Sequence, residues 1–241
     1  MSRFKKVGIK YTKHNKADVV TAADLLVNKY LVAEIKKKYP THGIISEEMG
    51  QEKTGAQYVW VIDPLDGTRN FATRVPMWGT MVGLTYRGQM ILSAIYEPNL
   101  DEFLFAEKGK GTYLNNKRAH CSKTREVAFS YGVGSSTFAA SDFKWLKPIA
   151  REAERRGGFG IWMNDLGSMA TAVAFVASGR RDWKISEGSG IWDYAPPALV
   201  MSEAGCKISR FNGQPWQFGD REIVAANPIL HNKLIKLINA K

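Results

Sequence analysis

Trp60-Val61-Ile62-Asp63-Pro64-Leu65-Asp66-Gly67-Thr68 reads as a buried strand that runs into a tight acidic turn. Tyr58 to Ile62 is apolar and rich in β-branched and aromatic residues, the composition of a strand covered on both faces. The run stops at Asp63. Pro64 fixes one backbone torsion, and Gly67 permits a sharp turn with close backbone approach. Such a turn aims the Asp63 and Asp66 carboxylates and the Leu65 carbonyl at one point. Hard oxygen donors of this kind suit Mg²⁺. The backbone N–H groups of Gly67 and Thr68 are placed to meet a phosphate, and a helix starting here would add its dipole.

Outward from that strand, the N-terminal side carries Thr21-Ala22-Ala23-Asp24, a capping-box-like helix start. The helix is expected to end near Tyr39, before Pro40, with Leu25, Leu26, Lys29, Tyr30 and Ala33 as its mostly apolar face. Ile44-Ile45 reads as a short strand leading into Ser46-Glu47-Glu48. On the C-terminal side, strands are predicted at about 79–86, 89–96 and 102–106, with turns at Arg87-Gly88 and Asn115-Asn116.

Further on, helices are predicted near 142–156, 166–177, 194–204 and 228–239, and a strand at Ile223-Val224-Ala225. Pro196 and Pro197 fit only the first turn of their helix. The Ala-rich run from Met169 to Ala177 points to close packing between layers. The fold class expected is α+β, a layered α/β/α/β arrangement rather than a simple βαβ repeat. A composition shift near 125–140 divides the chain into an N-terminal α+β subdomain, 1–130, and a C-terminal α/β subdomain, 131–241.

The 241 residues are 44% hydrophobic and 24% charged, which excludes a disordered tail, a collagen or a disulfide-stapled miniprotein. No apolar run approaches the roughly 18 residues of a membrane span. Met1-Ser2-Arg3-Phe4-Lys5-Lys6 lacks the apolar stretch of a secretory leader, so a cytoplasmic location is expected. Cys121 and Cys206 lie far apart in sequence without a CxxC partner; they could pair, but the preferred reading is two reduced thiols. The net charge of +11 favours an anionic ligand without naming it: nucleic acid, an acidic membrane or a phosphorylated metabolite.

Other acids join the central turn. Glu47-Glu48 stands sixteen positions before Asp63 at the end of a probable strand, and Asp193 follows Trp192 at the start of an apolar helix. Alone, Asp193 reads as an N-cap and Asp24 as a first-turn acid. Taken together, Asp18-Val19-Val20-Thr21-Ala22-Ala23-Asp24, Ile44-Ile45-Ser46-Glu47-Glu48, Asp63-Pro64-Leu65-Asp66-Gly67-Thr68-Arg69-Asn70-Phe71, Trp192-Asp193 and Ser202-Glu203-Ala204-Gly205 resemble, in order and spacing, the inositol monophosphatase family of metal-dependent phosphatases. The likeness covers about 18–206.

The resemblance implies hydrolysis of a small phosphate monoester on the layered sugar-phosphatase fold, with two or three Mg²⁺ ions. Glu47, Asp63 and the Leu65 carbonyl would hold the first ion, and Asp63, Asp66 and Asp193 the second. A third, weaker ion would lie near Glu47. Asp24, Thr68 and Glu47 would be the catalytic residues, Asp24 and Thr68 orienting the attacking water, and Asp66 with the N–H groups of Gly67 and Thr68 would bind the substrate phosphate. A homodimer and inhibition by lithium are expected on the same ground.

The chain departs from the family in three places. Ser186 stands seven positions before Asp193, where inositol-type members carry a substrate-binding glutamate; Glu187, one step later and beside Gly188-Ser189-Gly190, is the candidate replacement. Cys206 replaces a usual glycine, and most of the family's first helix is missing. Val75-Pro76-Met77-Trp78-Gly79-Thr80 is similar to bacterial histidinol-phosphate phosphatases of the same superfamily. Histidinol phosphate, a 3′-phosphoadenosine-type nucleotide and fructose bisphosphate are therefore alternative substrates. A binding protein on this fold, contacting RNA or transcription machinery, is the alternative of another class.

Overall fold

The structure, a computed structural model, describes residues 9–12, 19–134, 143–158 and 160–240. Asp18 and most of the basic N-terminal stretch lie outside them. The strands are β1 (Ile9–Thr12), β2 (Val19–Thr21), β3 (Gly43–Ser46), β4 (Gly50–Glu52), β5 (Tyr58–Asp66), β6 (Gly79–Tyr86), β7 (Gln89–Glu97), β8 (Glu102–Glu107), β9 (Gly111–Leu114), β10 (Lys117–Arg118), β11 (Tyr131–Val133), β12 (Trp162–Asn164), β13 (Trp183–Glu187), β14 (Lys207–Ser209) and β15 (Glu222–Ala226). The helices are α1 (Ala22–Lys38), α2 (Thr68–Thr73), α3 (Phe143–Arg155), α4 (Met169–Ala177), α5 (Ala195–Glu203) and α6 (Pro228–Ile238).

Eight strands form one sheet in the order β10-β9-β8-β7-β6-β5-β3-β4, antiparallel throughout except for the β3–β5 pair. Five form a second, mixed sheet in the order β12-β11-β13-β15-β14. Side-chain alternation dictates the layers. On β5, Val59 and Val61 face a core shared with α4 and α5, whereas Ile62 faces Val32 and Ile35 of α1. On β15, Ile223 and Ala225 face that same central core, and Val224 and Ala226 face Trp145 and Ile149 of α3 and Leu230 and Leu234 of α6. The order of layers is thus α1, large sheet, α4 with α5, small sheet, α3 with α6. The expected alternation holds, with one helical layer more.

The Ala-rich α4 packs as its composition demands. Every residue from Met169 to Ala174 is buried. At Gly79, an added Cβ would stand 2.9 Å from Ala170 Cβ and 2.7 Å from the Tyr96 carbonyl, so only glycine lets α4 approach β6 this closely.

Several expectations change. α1 does not bury the face of Leu25, Leu26, Lys29, Tyr30 and Ala33: Leu26 is 52% and Tyr30 66% exposed. The buried face is Ala23, Asp24, Asn28, Val32 and Ile35. Polar anchors set that rotation, because the Ser46 hydroxyl donates to Asn28 Oδ1 (2.6 Å) and Asp24 is tied into the central turn. α4 starts at Met169, three residues later than expected. Gly167 has a positive φ of 63° and the Leu166 carbonyl accepts from Asn70 Nδ2 (2.8 Å), which holds 166–167 in a turn before the Ser168 cap. The strands at 131–133, 162–164, 183–187 and 207–209 were not expected.

Candidate active site

The central turn is a bulge. Asp63 pairs with Met81 and Asp66 with Gly79, so three steps on β5 oppose two on β6. In a regular strand, residues three apart point to opposite faces. One extra residue returns Asp66 to the side of Asp63. Pro64, without an N–H, is tolerated here, and its carbonyl accepts from the Thr80 hydroxyl (2.9 Å). Gly67 follows in the left-handed region (φ 79°), and a Cβ there would meet the Met77 carbonyl oxygen at 2.9 Å.

Three carboxylates meet as a result. Asp63, Asp66 and Asp193 each offer an oxygen within 4.8 Å of the others. Asp193 arrives on a single 3₁₀ turn, Ile191–Asp193, and accepts from the Gly190 N–H (3.1 Å). The N-cap of α5 is Tyr194, so Asp193 faces its own turn rather than capping the long helix. Glu47, at the end of β3, is outside this trio but close enough for its charge to act on both Asp63 and Asp193. Glu187 ends β13 opposite Glu222, also outside the trio. The following loop is fastened by Gly188 N–H to the Arg221 carbonyl (3.0 Å) and Ser189 N–H to the Tyr194 hydroxyl (3.3 Å).

Asp66 is held hardest. Both its oxygens face the first turn of α4, accepting from the N–H groups of Met169 (2.9 Å) and Ala170 (2.8 Å) and from the Ser168 hydroxyl. Ser168 Oγ lies 3.1 Å from the Thr171 hydroxyl, which donates to Glu97 Oε2 (3.0 Å). Asp24 has two tasks. Its Oδ2 accepts from the Thr21 N–H (2.9 Å) and closes the capping box of α1, while its Oδ1 accepts from the Thr68 hydroxyl (3.0 Å). Thr68 Oγ1 also lies 2.9 Å from the Leu65 carbonyl oxygen.

The electrostatics are those of a site built for cations. Burial, then the charges of Glu47, Asp66 and Asp193, push Asp63 well above the usual carboxylate range. Burial and the charges of Asp66 and Glu47 do the same to Asp193. Asp66 and Asp24 are also raised by burial, opposed by the hydrogen bonds just described. Among the described residues a buried cation answers this charge: Lys184, 3% exposed, which donates to the Gly134 carbonyl and is brought down to about 8 by burial. Buried like charges are tolerated only with a counter-charge. The donor set fits Mg²⁺: clustered carboxylate oxygens and the Leu65 carbonyl, which keeps a lone pair beyond the Thr68 contact.

Sequence reasoning missed Ser168, Thr171, Glu97 and Lys184. Only Ser168 had a visible signal, a serine directly before an apolar helical run. Trp78 is a core residue, 6% exposed and edge-on to Phe71 at 4.9 Å.

A layered α/β protein with a buried carboxylate trio at a strand-end bulge is the class that the fold and the site define. The family model of the inositol monophosphatase family matches residues 1–241, and the chain belongs to that family. It is 30% identical over 224 residues to an inositol-1-monophosphatase of Mesorhizobium japonicum, covering 92% of this chain and 83% of the relative. It is 32% identical over 214 residues to the Nus factor SuhB of Escherichia coli, covering 88% and 79%. Among solved structures, the inositol monophosphatase of Thermotoga maritima superposes with a TM-score of 0.88 at 27% identity, covering 99% of this chain and 90% of that one.

Proposed function

We propose that this chain is a Mg²⁺-dependent phosphomonoesterase of the inositol-1-monophosphatase type. The observation that carries the reading is the buried trio of Asp63, Asp66 and Asp193, oxygens within 4.8 Å, with Lys184 as its buried counter-charge among the described residues. Glu47, Asp63 and the Leu65 carbonyl would hold one ion and Asp63, Asp66 and Asp193 a second, with a third near Glu47. Bound there, Mg²⁺ supplies charge neutralisation and Lewis acidity at phosphorus.

The chain's own residues do the rest. Asp24 and Thr68, hydrogen-bonded at 3.0 Å, hold and orient the attacking water, and Glu47 is the third catalytic residue. The N–H groups of Gly67 and Thr68 bind phosphate oxygens, and Asp66 stays fixed by the α4 turn. Glu187 is the candidate contact to substrate hydroxyls. Histidinol phosphate, 3′-nucleotides and fructose bisphosphate are the competing substrates. We also propose a cytoplasmic homodimer with subdomains 1–130 and 131–241. Among the described residues no helix is long and apolar enough to cross a membrane.

A phosphate-release screen over inositol phosphates, histidinol phosphate, sugar phosphates and nucleotides, with and without Mg²⁺, tests this. Release that requires Mg²⁺ is expected; a blank screen sinks the reading. The relatives named Nus factor, with the net charge of +11, favour a second role in contact with RNA or transcription machinery. RNA affinity that falls steeply with salt would support that role, and a flat response would dismiss it.

A further inference from the structure

The C-terminal half of α5 walls a cleft of about 830 Å³, within the usual range of roughly 300–1,000 Å³ for small-molecule sites. It is remote from the carboxylates. Those lie at the β6 end marked by Gly79, whereas the cleft takes in the β6–β7 turn, and the eight residues of β6 span about 25 Å.

Its chemistry is mixed in a specific way. Met90 and Leu199 line it with apolar side chains, and Trp216 and Phe218 line it from the 210–221 loop. An apolar and aromatic lining of this kind suits a flat ring. The indole N–H of Trp216 is buried with no acceptor among the described residues, although such a group ordinarily finds one. Lys108 and Lys207 also line the cleft, and no Asp or Glu does among the described residues. Each ammonium donates to an uncharged amide oxygen, Lys108 to Gln89 (2.7 Å) and Lys207 to Asn232 (2.8 Å).

The nearest acid on α5 is already committed: Glu203 accepts from the N–H groups of Gly109 and Gly111 (both 2.7 Å), fixing the turn that carries Lys108. The opposite wall is fixed too. Arg210 N–H donates to the Gln214 carbonyl (2.9 Å), Gln217 N–H to Asp220 Oδ2 (2.7 Å) and Phe211 N–H to Glu222 Oε1 (3.0 Å). A preformed wall lowers the ordering cost of binding.

We propose that this cleft is a second ligand site, separate from the carboxylate centre, for a small planar aromatic anion whose ring lies between Leu199 and Trp216 and whose acidic group meets Lys108 and Lys207. The test uses 1-naphthalenesulfonate, which has no phosphoryl group, in isothermal titration calorimetry of the full chain with saturating Mg²⁺ and inorganic phosphate. One saturable site with a Kd of about 0.1–1 mM is expected. Lys108→Gln/Lys207→Gln should weaken it at least about tenfold. Ser202→Trp, on the exposed face of α5 and lining the cleft, should abolish it while both lysines remain. No saturable binding up to about 5 mM, displacement by phosphate, or native affinity in either variant would each overturn the proposal.

Discussion

The two ends of α5 carry opposite chemistry by opposite means. Before its first residue stands Asp193, and with it the acids of β5; along its last turns stand Lys108, Lys207 and Trp216. At the acidic end, position is set by backbone: a one-residue bulge, a 3₁₀ turn and the first turn of α4. At the basic end, it is set by long side chains reaching neutral amides. Charges fixed by backbone cannot relax when a neighbour is removed, and charges on flexible stems can. Substitutions should therefore act steeply at one end and shallowly at the other.

The largest effect is expected at Asp63, shared between both proposed ion positions. Asp63→Asn should lower phosphatase turnover by at least about 100-fold and erase the rise in melting temperature that magnesium is expected to give the native chain. A full magnesium-dependent rise in the variant would remove the acidic end from the comparison.

Ser168→Ala comes next. It removes the hydroxyl that both caps α4 and binds Asp66. Loss of the cap should cost about 1 kcal/mol in denaturant melts, and magnesium affinity should fall about 10- to 100-fold. Unchanged affinity alongside the stability loss would mean that Ser168 serves the helix alone.

Glu97 offers a pH test. Burial lifts its carboxyl from 4.5 to about 7 in the folded chain. The folded state then keeps a proton that the unfolded chain releases between these values. This contribution is neutral below pH 4.5 and destabilises progressively as the pH rises towards 7. With metal chelated, Glu97→Gln should match the native chain near pH 4.5 and exceed it by about 3 kcal/mol at pH 8. Equal differences at both pH values in urea melts would show that the glutamate is already ionised when folded.

The smallest effect is expected at the basic end. Lys108→Gln/Lys207→Gln should leave kcat/KM within about twofold of native, because nothing at the carboxylate centre leans on either side chain. A tenfold change would join the two ends that the comparison separates.

What the sequence made legible follows the range of the forces involved. β6 and β7, and likewise β9 and β10, are joined by local two-residue turns: Arg87-Gly88 adopts positive φ at both residues (49° and 75°), as does Asn115-Asn116 (46° and 64°). The small sheet is different. β11 and β12 are three residues each and pair in parallel across about thirty positions, and β13 holds a lysine where its strand is fully covered. Length and alternation say little about such strands. The buried face of α1 departs from its apolar pattern because Asp24 and Asn28, not leucines, set its rotation.

At the candidate site, Asp63 and Asp66 announce themselves by spacing. Ser168 and Thr171 act on partners 102 and 74 positions away, a distance no local pattern spans. Lys184 is legible only once the layers are stacked, since alternation along β13 turns it away from Trp183 and Ile185 and toward the acids.

The grip of α4 on Asp66 has a practical corollary. The peptide protons of Met169 and Ala170 each rest on one oxygen of a carboxylate at the heart of the centre. Their amide resonances are built-in voltmeters: any charge that arrives beside Asp66 must register in those two cross-peaks, on a helix that itself need not move.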